Sequence, residues 1–419
     1  GSMWDFADWW REPIVFQKVI IWTMLVEVLG LAASSGPLAF RFLPPVQAAL
    51  NWLRPGTVRL PPWGDKVPGT RGATRSLFDV ALYAAIITLE VLLLISDGQQ
   101  GKSGLPAGTL GLLDGKLLVA LIAVIAVAGL RDKMLFLASR GEQYWVMCVM
   151  FLLFPYVDMI VGAKLVMCVV WWGAAFSKLG RHFTFVVPAM LSNSPLVPRS
   201  LKVKLYRDFP NDLRPSRTGF LAAHSGTVIE LCVPIVLLFS TSKSVTLVAV
   251  CVMAFFHLFI TSQFPLAVPL EWNILYMFAS LWLFYGHGAW EGFALWDMTP
   301  WLAVVTLVVL VAFPVAGNLR PDLISFLPSA RYYAGNWAVS QWAFRKGPTK
   351  HEGAEHKINT HVRTSATTQY EQLNLLYGPG VAEIFLQKCV AWRSMHSHGR
   401  ALNTLMLRHL DDLQAYDIR

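Results

Sequence analysis

The sequence predicts an all-α integral membrane protein, a bundle of about nine transmembrane helices followed by a small, mostly helical C-terminal tail. Three observations predict it. Of the 419 residues, 55% are hydrophobic and only 15% charged, a balance too apolar for a water-soluble domain. Apolar stretches approaching the roughly 20 residues that cross a hydrocarbon core recur along the chain, and helices satisfy their own backbone there. Lys and Arg collect in alternate loops, the signature of cytoplasmic connections.

In chain order, Gly1, Ser2 and Met3 read as an expression scar. The rest of segment 1–13, with Trp4, Trp9 and Trp10 before Pro13, reads as an interfacial segment because indole favours the headgroup region. A membrane domain over 14–317 follows, with spans expected at 14–34, 77–96, 110–130, 143–158, 160–178, 218–240, 244–264, 269–286 and 300–317. The fourth is short and interrupted by Pro155 and Asp158, which marks a re-entrant or tilted element. The first loop carries Arg41, Arg54, Arg59, Lys66, Arg71 and Arg75, and the third Arg131, Lys133 and Arg140. The fifth carries Arg199, Lys202, Lys204, Arg207, Arg214 and Arg217. This pattern places the N-terminus outside and the basic tail, 318–419, in the cytoplasm of a plasma (bacterial inner) membrane. Within the tail, Val381 to Leu410 is amphipathic and reads as a helical subdomain or a docking segment for a protein partner.

The formal charge of +9 resides in these loops, where lipid headgroups account for it, so membrane lipids and not nucleic acid are the expected partners. Five scattered cysteines, Cys148, Cys168, Cys232, Cys251 and Cys389, form no CxxC pair, so neither a disulfide framework nor a zinc site is indicated. His224 and His257 stand alone in their helices, and His351, His356 and His361 are five apart, which aligns no helical face. No metal is expected. A Ser nucleophile elbow, a Gly-rich phosphate loop and a Walker motif are absent.

Ionisable groups at bilayer depth cost several kcal/mol unless paired or facing a cavity, so each is a functional candidate. The set comprises Lys18, Glu27, Asp79, Glu90, Asp158, Lys164, His224, Glu230 and His257, and it implies an internal polar cavity. Lys18, Glu27, Asp79 and Glu90 read first as ties between helices. Leu165 to Phe176 runs into Ser177 and Lys178, so Lys178 is either a snorkelling anchor or a base; His182 shares its helical face if the helix continues past Gly180. Gly226 permits close helix approach, and His224 shares a face with Thr227. His257, Thr261 and the neighbouring Phe256 suit a pocket for a flat apolar small molecule, with the imidazole and Gln263 as hydrogen-bond partners. A core histidine satisfied by a backbone carbonyl is the competing reading.

The run Trp171 to Phe183, the His224–Gly226 segment and the Phe256–Gln263 segment together resemble the transmembrane core of vitamin K-dependent gamma-glutamyl carboxylase. They also resemble its bacterial relatives, the horizontally transferred transmembrane domain (HTTM) proteins. The Trp52 to Trp63 loop and the Val268 to Asn273 stretch are similar to an actinobacterial family of transmembrane proteins, a likeness covering about three quarters of the chain. The resemblance implies a carboxylase-like enzyme acting with a menaquinone, in its hydroquinone form, or another isoprenoid lipid. Lys178 would be the general base that takes the quinol proton. His224 and His257 would shape the pocket, and Trp172, Phe256, Thr261 and Gln263 would contact the ligand. Where the family places a histidine on the preceding helix, this chain has Arg140 and Glu142. The alternative reading is a non-catalytic lipid-binding, transport or assembly component of a membrane complex.

Overall fold

The computed structural model describes residues 4–29, 52–57, 61–179, 183–209, 212–263 and 270–320, together with 49, 59, 324, 343–345, 380 and 416–418. The expected amphipathic tail segment, His182, Cys389 and the tail histidines lie outside the described residues. What is described is mostly helical. The principal helices are α1 (Pro13–Leu29), α2 (Leu77–Ile95), α3 (Gly115–Arg131), α4 (Val146–Leu153), α5 (Tyr156–Ser177), α6 (Phe183–Asn193), α7 (Arg217–Phe239), α8 (Lys243–Gln263), α9 (Leu270–Ala279) and α10 (Pro300–Leu319). Two short antiparallel ladders, Tyr206–Asp208 with Asp212–Pro215 and Ala343–Arg345 with Tyr416–Ile418, are the described strands.

Five helices, α2, α5, α7, α8 and α10, are long and apolar enough to cross a membrane. The α5 window is 78% buried against 22–33% for the other four, so α5 forms the axis of the packing while its neighbours present apolar side chains outward. On α10 those side chains include Trp301, Val304, Val308 and Val311, the surface a lipid-facing helix needs.

The chain divides into two compact units, Gly1–Ser177 with Gly226–Arg331, and Lys178–Ser225 with Tyr332–Arg419. In the first unit, the ends of helices are set by local chemistry. Ser76 and Asp79 form a reciprocal capping box at the start of α2. Asp114 caps α3 by accepting from the backbone N–H groups of Lys116 and Leu117. The expected start of that span near 110 moves to 115 because 97–114 folds back on itself, with Gln99 bridging Leu112 and the Gln17 side chain accepting from Leu113 N–H at 2.8 Å. The interrupted fourth span, expected at 143–158, is observed as a π turn (Gly141–Trp145) running into α4, which ends before Pro155; a six-residue helix (Lys133–Ala138) precedes it in the expected third loop. Pro155 removes the N–H that would continue α4, and the freed carbonyls of Phe151 and Leu152 accept from the Lys102 ammonium. Asp158, in the first turn of α5, accepts from the N–H (2.6 Å) and hydroxyl (3.0 Å) of Thr299.

Salt bridges fasten the first loop to the helix ends. Asp79 accepts from Arg131 Nε at 2.5 Å and lies 3.6 Å from Arg59, while Arg75 meets Asp132 at 2.6 Å. Arg59 also donates to the carbonyls of Arg71, Thr74 and Arg131. Arginine forks of this kind satisfy several orphan carbonyls at once.

In the second unit, α6 carries Pro188 within it, a helix that apolar periodicity alone did not single out. Gly219 brings α7 against Leu205: a Cβ there would stand 2.5 Å from the Leu205 carbonyl oxygen.

Candidate functional site

The first unit contains a buried polar cluster assembled from α1, the π turn, α5, α8 and α9. Its centre is Arg140, the N-cap of the π turn and, among the described residues, the only non-glycine with positive φ (50°). A left-handed conformation in an L-residue costs about 1–2 kcal/mol and persists only where the surroundings hold it. Here two carboxylates hold it. Arg140 donates from Nε and Nη2 to Glu27 Oε1 at 2.9 and 2.6 Å, and from Nη2 to Glu271 Oε1 at 3.3 Å. Its guanidinium lies 5.1 Å from the Trp272 ring centroid, a cation–π contact strengthened by exclusion of water.

From Trp272 the cluster continues through aromatic and imidazole groups. Trp272 stacks on Tyr276 at 4.8 Å, and Tyr276 lies 5.2 Å from His257 and 5.4 Å from Trp171. Trp171 Nε1 donates to His257 Nε2 at 3.0 Å. An indole nitrogen can only donate, so Nε2 is an acceptor and the ring proton resides on Nδ1, which donates to Asn273 Oδ1 at 2.8 Å. His257 is thus a neutral imidazole with a tautomer fixed by its neighbours.

The cluster has spare hydrogen-bonding capacity. Five of the thirteen buried side-chain polar atoms without a partner among the described residues belong to it: Glu27 Oε2, Gln143 Oε1, Tyr144 Oη, Glu271 Oε2 and Tyr276 Oη. Tyr144 stands within electrostatic range of Arg140, Glu27 and Tyr276. Two acceptor carboxylate oxygens and two phenol donors therefore share one buried cluster with stacked aromatic faces. Buried polar atoms left over in this way mark places where water, a proton or a ligand completes the network.

A second cluster lies around Lys164, whose ammonium donates to the carbonyls of His287 (2.8 Å) and Phe293 (2.5 Å). Its hydrogen bonds end on backbone, which reads as a tie between α5 and the loop after the π turn at Ser280–Gly286. His287 Nδ1 donates to the Trp282 carbonyl at 3.0 Å and its Nε2 accepts from Tyr156 Oη at 3.3 Å. Burial, the largest influence, pushes His287 down to about 4, consistent with an uncharged ring at neutral pH.

The sequence-predicted residues fall as follows. His257 lies at the heart of the buried cluster. Phe256 is buried against Gly226, whose added Cβ would stand 3.1 Å from the Phe256 ring, so Gly226 does allow the close approach expected of it. Thr261 returns its hydroxyl to the His257 carbonyl at 2.9 Å, and Trp172 Nε1 donates to Leu231 O at 3.2 Å, beside the turn distorted by Pro234. Gln263 is buried at the end of α8. Lys178 and His224 belong to the other compact unit. Lys178 is half-buried on the turn after α5, its ammonium 5.7 Å from the Phe183 ring, and His224 packs edge-on against Phe220 at 4.5 Å. Among the described residues, no three His, Cys, Asp or Glu side chains gather where they could hold a metal.

Sequence reading counted Arg140 as a loop charge and gave no weight to Glu271, Asn273, Tyr144 or Tyr276. One signal was available: Glu271 and Asn273, two apart, interrupt an otherwise apolar segment from Val268 onward, and intramembrane polar residues need partners. No curated protein and no solved structure matches the chain. A family match spans residues 1–419, and the chain belongs to that family, described as transmembrane protein of unknown function (DUF3556).

Proposed function

We propose that this chain is a plasma-membrane protein of nine crossings with a cytoplasmic tail, and that it binds a quinol, or another isoprenoid lipid with a hydroxylated head, at the Arg140–His257 cluster. To the five long spans the reading adds α1, α3, the broken segment ending in α4, and α9 with its π turn. The observation that carries the binding reading is the set of orphaned atoms. A hydroquinone ring presents O–H groups for Glu27 Oε2 and Glu271 Oε2, oxygens for the Tyr144 and Tyr276 phenols, and a flat face for Trp272. In the enzymatic form of the proposal, Lys178 acts as a general base, a role that rests on its helix-end position and on the resemblance to the carboxylase-like superfamily.

Lipid extraction and mass spectrometry of the purified full chain test the binding. Wild type carries menaquinone or an isoprenoid lipid, and Glu271→Gln and Tyr276→Phe carry at least tenfold less while their thermal midpoints fall by no more than a few degrees. A wild type without such a lipid, or variants loaded equally, would remove the proposal. Lys178→Arg tests the base: consumption of reduced menaquinone is lost if Lys178 exchanges protons and is kept if it only anchors the helix, because arginine also snorkels. Single cysteines at Ser200 and Ser242 test the topology. The reading requires position 242 to label from outside and position 200 not to.

A scaffold or assembly component, docking a protein partner through its tail, is the second reading. It is favoured by one observation, that Arg140 already bonds both carboxylates and so joins α1, the π turn and α9. Under it, purified wild type carries no specific lipid and Glu271→Gln loses stability alone.

A further inference from the structure

Glu90 sits on α2, thirteen residues after Leu77 and five before Ile95, about 8 Å inside the nearer helix end at 1.5 Å per residue. It is fully buried, and neither carboxyl oxygen has a hydrogen-bond partner among the described residues. The contrast with Glu27 is direct, since Glu27 is equally buried yet bonded to Arg140.

Among the described residues, α1 and α3, which pack on α2, bring no cation to this place. On α1, Lys18 donates to the Ser96 carbonyl and Glu27 is held by Arg140. On α3, charge occurs only at Lys116 and Arg131, at the two ends of the helix, and Arg131 is engaged with Asp79. Among the described residues, the Tyr83 hydroxyl of its own helix, which donates to the Val28 carbonyl, and the buried Cys148 thiol of α4 lie within electrostatic range of Glu90. An ionised carboxylate there would be an unpaired charge removed from water, the costliest arrangement a folded interior can contain. A carboxyl that carries its own proton removes that cost.

We propose that Glu90 is a proton-binding site within the membrane-spanning bundle, a neutral carboxyl that carries its own proton in place of a partner ion. The inference is independent of the lipid site, because Glu90 shares no bond with the Arg140 cluster.

Reaction with carbodiimides on the full chain in phosphatidylcholine vesicles tests it. A protonated carboxyl gives its proton to a carbodiimide nitrogen while its oxygen bonds the central carbon. The acyl group then shifts to nitrogen, leaving a stable adduct with no redox change. With dicyclohexylcarbodiimide and peptide mapping, Glu90 is modified at pH 7.5, and its rate changes less than threefold from pH 6 to 8. A water-soluble carbodiimide leaves it untouched, and Glu27 and Glu271, each already bonded to Arg140, stay unlabelled by either reagent. No adduct at Glu90, or a rate falling about tenfold per pH unit as for a carboxyl of ordinary acidity, overturns the proposal. Glu90→Gln, an uncharged mimic, keeps its thermal midpoint within a few degrees; a fall of more than 10 °C shows that a charge was needed there and also overturns it.

Discussion

At the loop ends of α2 and α3, Arg59, Arg75 and Arg131 meet Asp79 and Asp132; in the interior, Arg140 meets Glu27 and Glu271. The same ions serve different ends. Around Asp79 every acceptor is used, since Oδ1 takes Arg131 and Oδ2 takes the Ser76 N–H, the Ser76 hydroxyl and a second Arg131 nitrogen. A carboxylate saturated in this way fixes a loop and offers no acceptor to a ligand. Around Arg140, among the described residues, each carboxylate has one oxygen and two tyrosines their hydroxyls without a hydrogen-bond partner, and the backbone is held left-handed. Unused capacity and local strain together distinguish a place that binds from a place that only holds.

The comparison breaks if the loop network affects lipid loading or if the interior cluster affects only stability. The largest expected effect is Arg75→Met, which takes the guanidinium of a buried ion pair away from Asp132, itself 1% exposed. Losing one partner of a buried pair costs about 3–5 kcal/mol, so the thermal midpoint should drop sharply, while the protein still folded at low temperature keeps its bound lipid. Next is Gly141→Ala. Its Cβ would stand 2.4 Å from the Phe136 ring, forcing the π turn and Arg140 to shift at a cost of about 1–3 kcal/mol, with lipid lost as well. Smaller still is Glu271→Gln. Arg140 keeps Glu27, so the stability change is about 1 kcal/mol, yet lipid content falls at least tenfold. Circular-dichroism melts beside lipid mass spectrometry read both axes.

Much of the fold was legible in the sequence because apolar length and proline position are local signals. The expected spans at 77–96, 218–240, 244–264 and 300–317 end within two residues of α2, α7, α8 and α10. Where the reading departed, non-local contacts decided. The third span starts late because 97–114 pairs with itself and with Gln17, and the fourth opens on a π turn that gives Arg140 its place between Glu27 and Glu271. Pairing Lys18, Glu27 and Asp79 as helix ties agrees with the bonds they make; Glu90, placed in the same group, makes none among the described residues. His257 was recognisable as an intramembrane polar residue, but its partners Trp171 and Asn273 lie 86 and 16 residues away. Positive-inside counting treats Arg59, Arg75 and Arg140 as loop charges, and only tertiary structure shows them buried against carboxylates.

Lys102 supplies a third arrangement, a cation whose partners are backbone carbonyls and not carboxylates, and it gives the smallest effect. Burial pushes Lys102 down to about 8, whereas an unfolded lysine titrates near ~10.4. Between those values the unfolded chain binds the proton more readily than the folded one, so raising the pH from 8 to 10 favours folding at this site. Below pH 8 both states are protonated and the penalty is constant. The side chain is partly exposed, so water screens much of the effect. Arginines stay charged throughout this window, which leaves both arginine clusters silent. The thermal midpoint of wild type should therefore gain on Lys102→Met as pH rises from 8 to 10. A difference that stays flat, or that shrinks with pH, would show that the carbonyls of Phe151 and Leu152 hold the ammonium firmly enough to offset its burial.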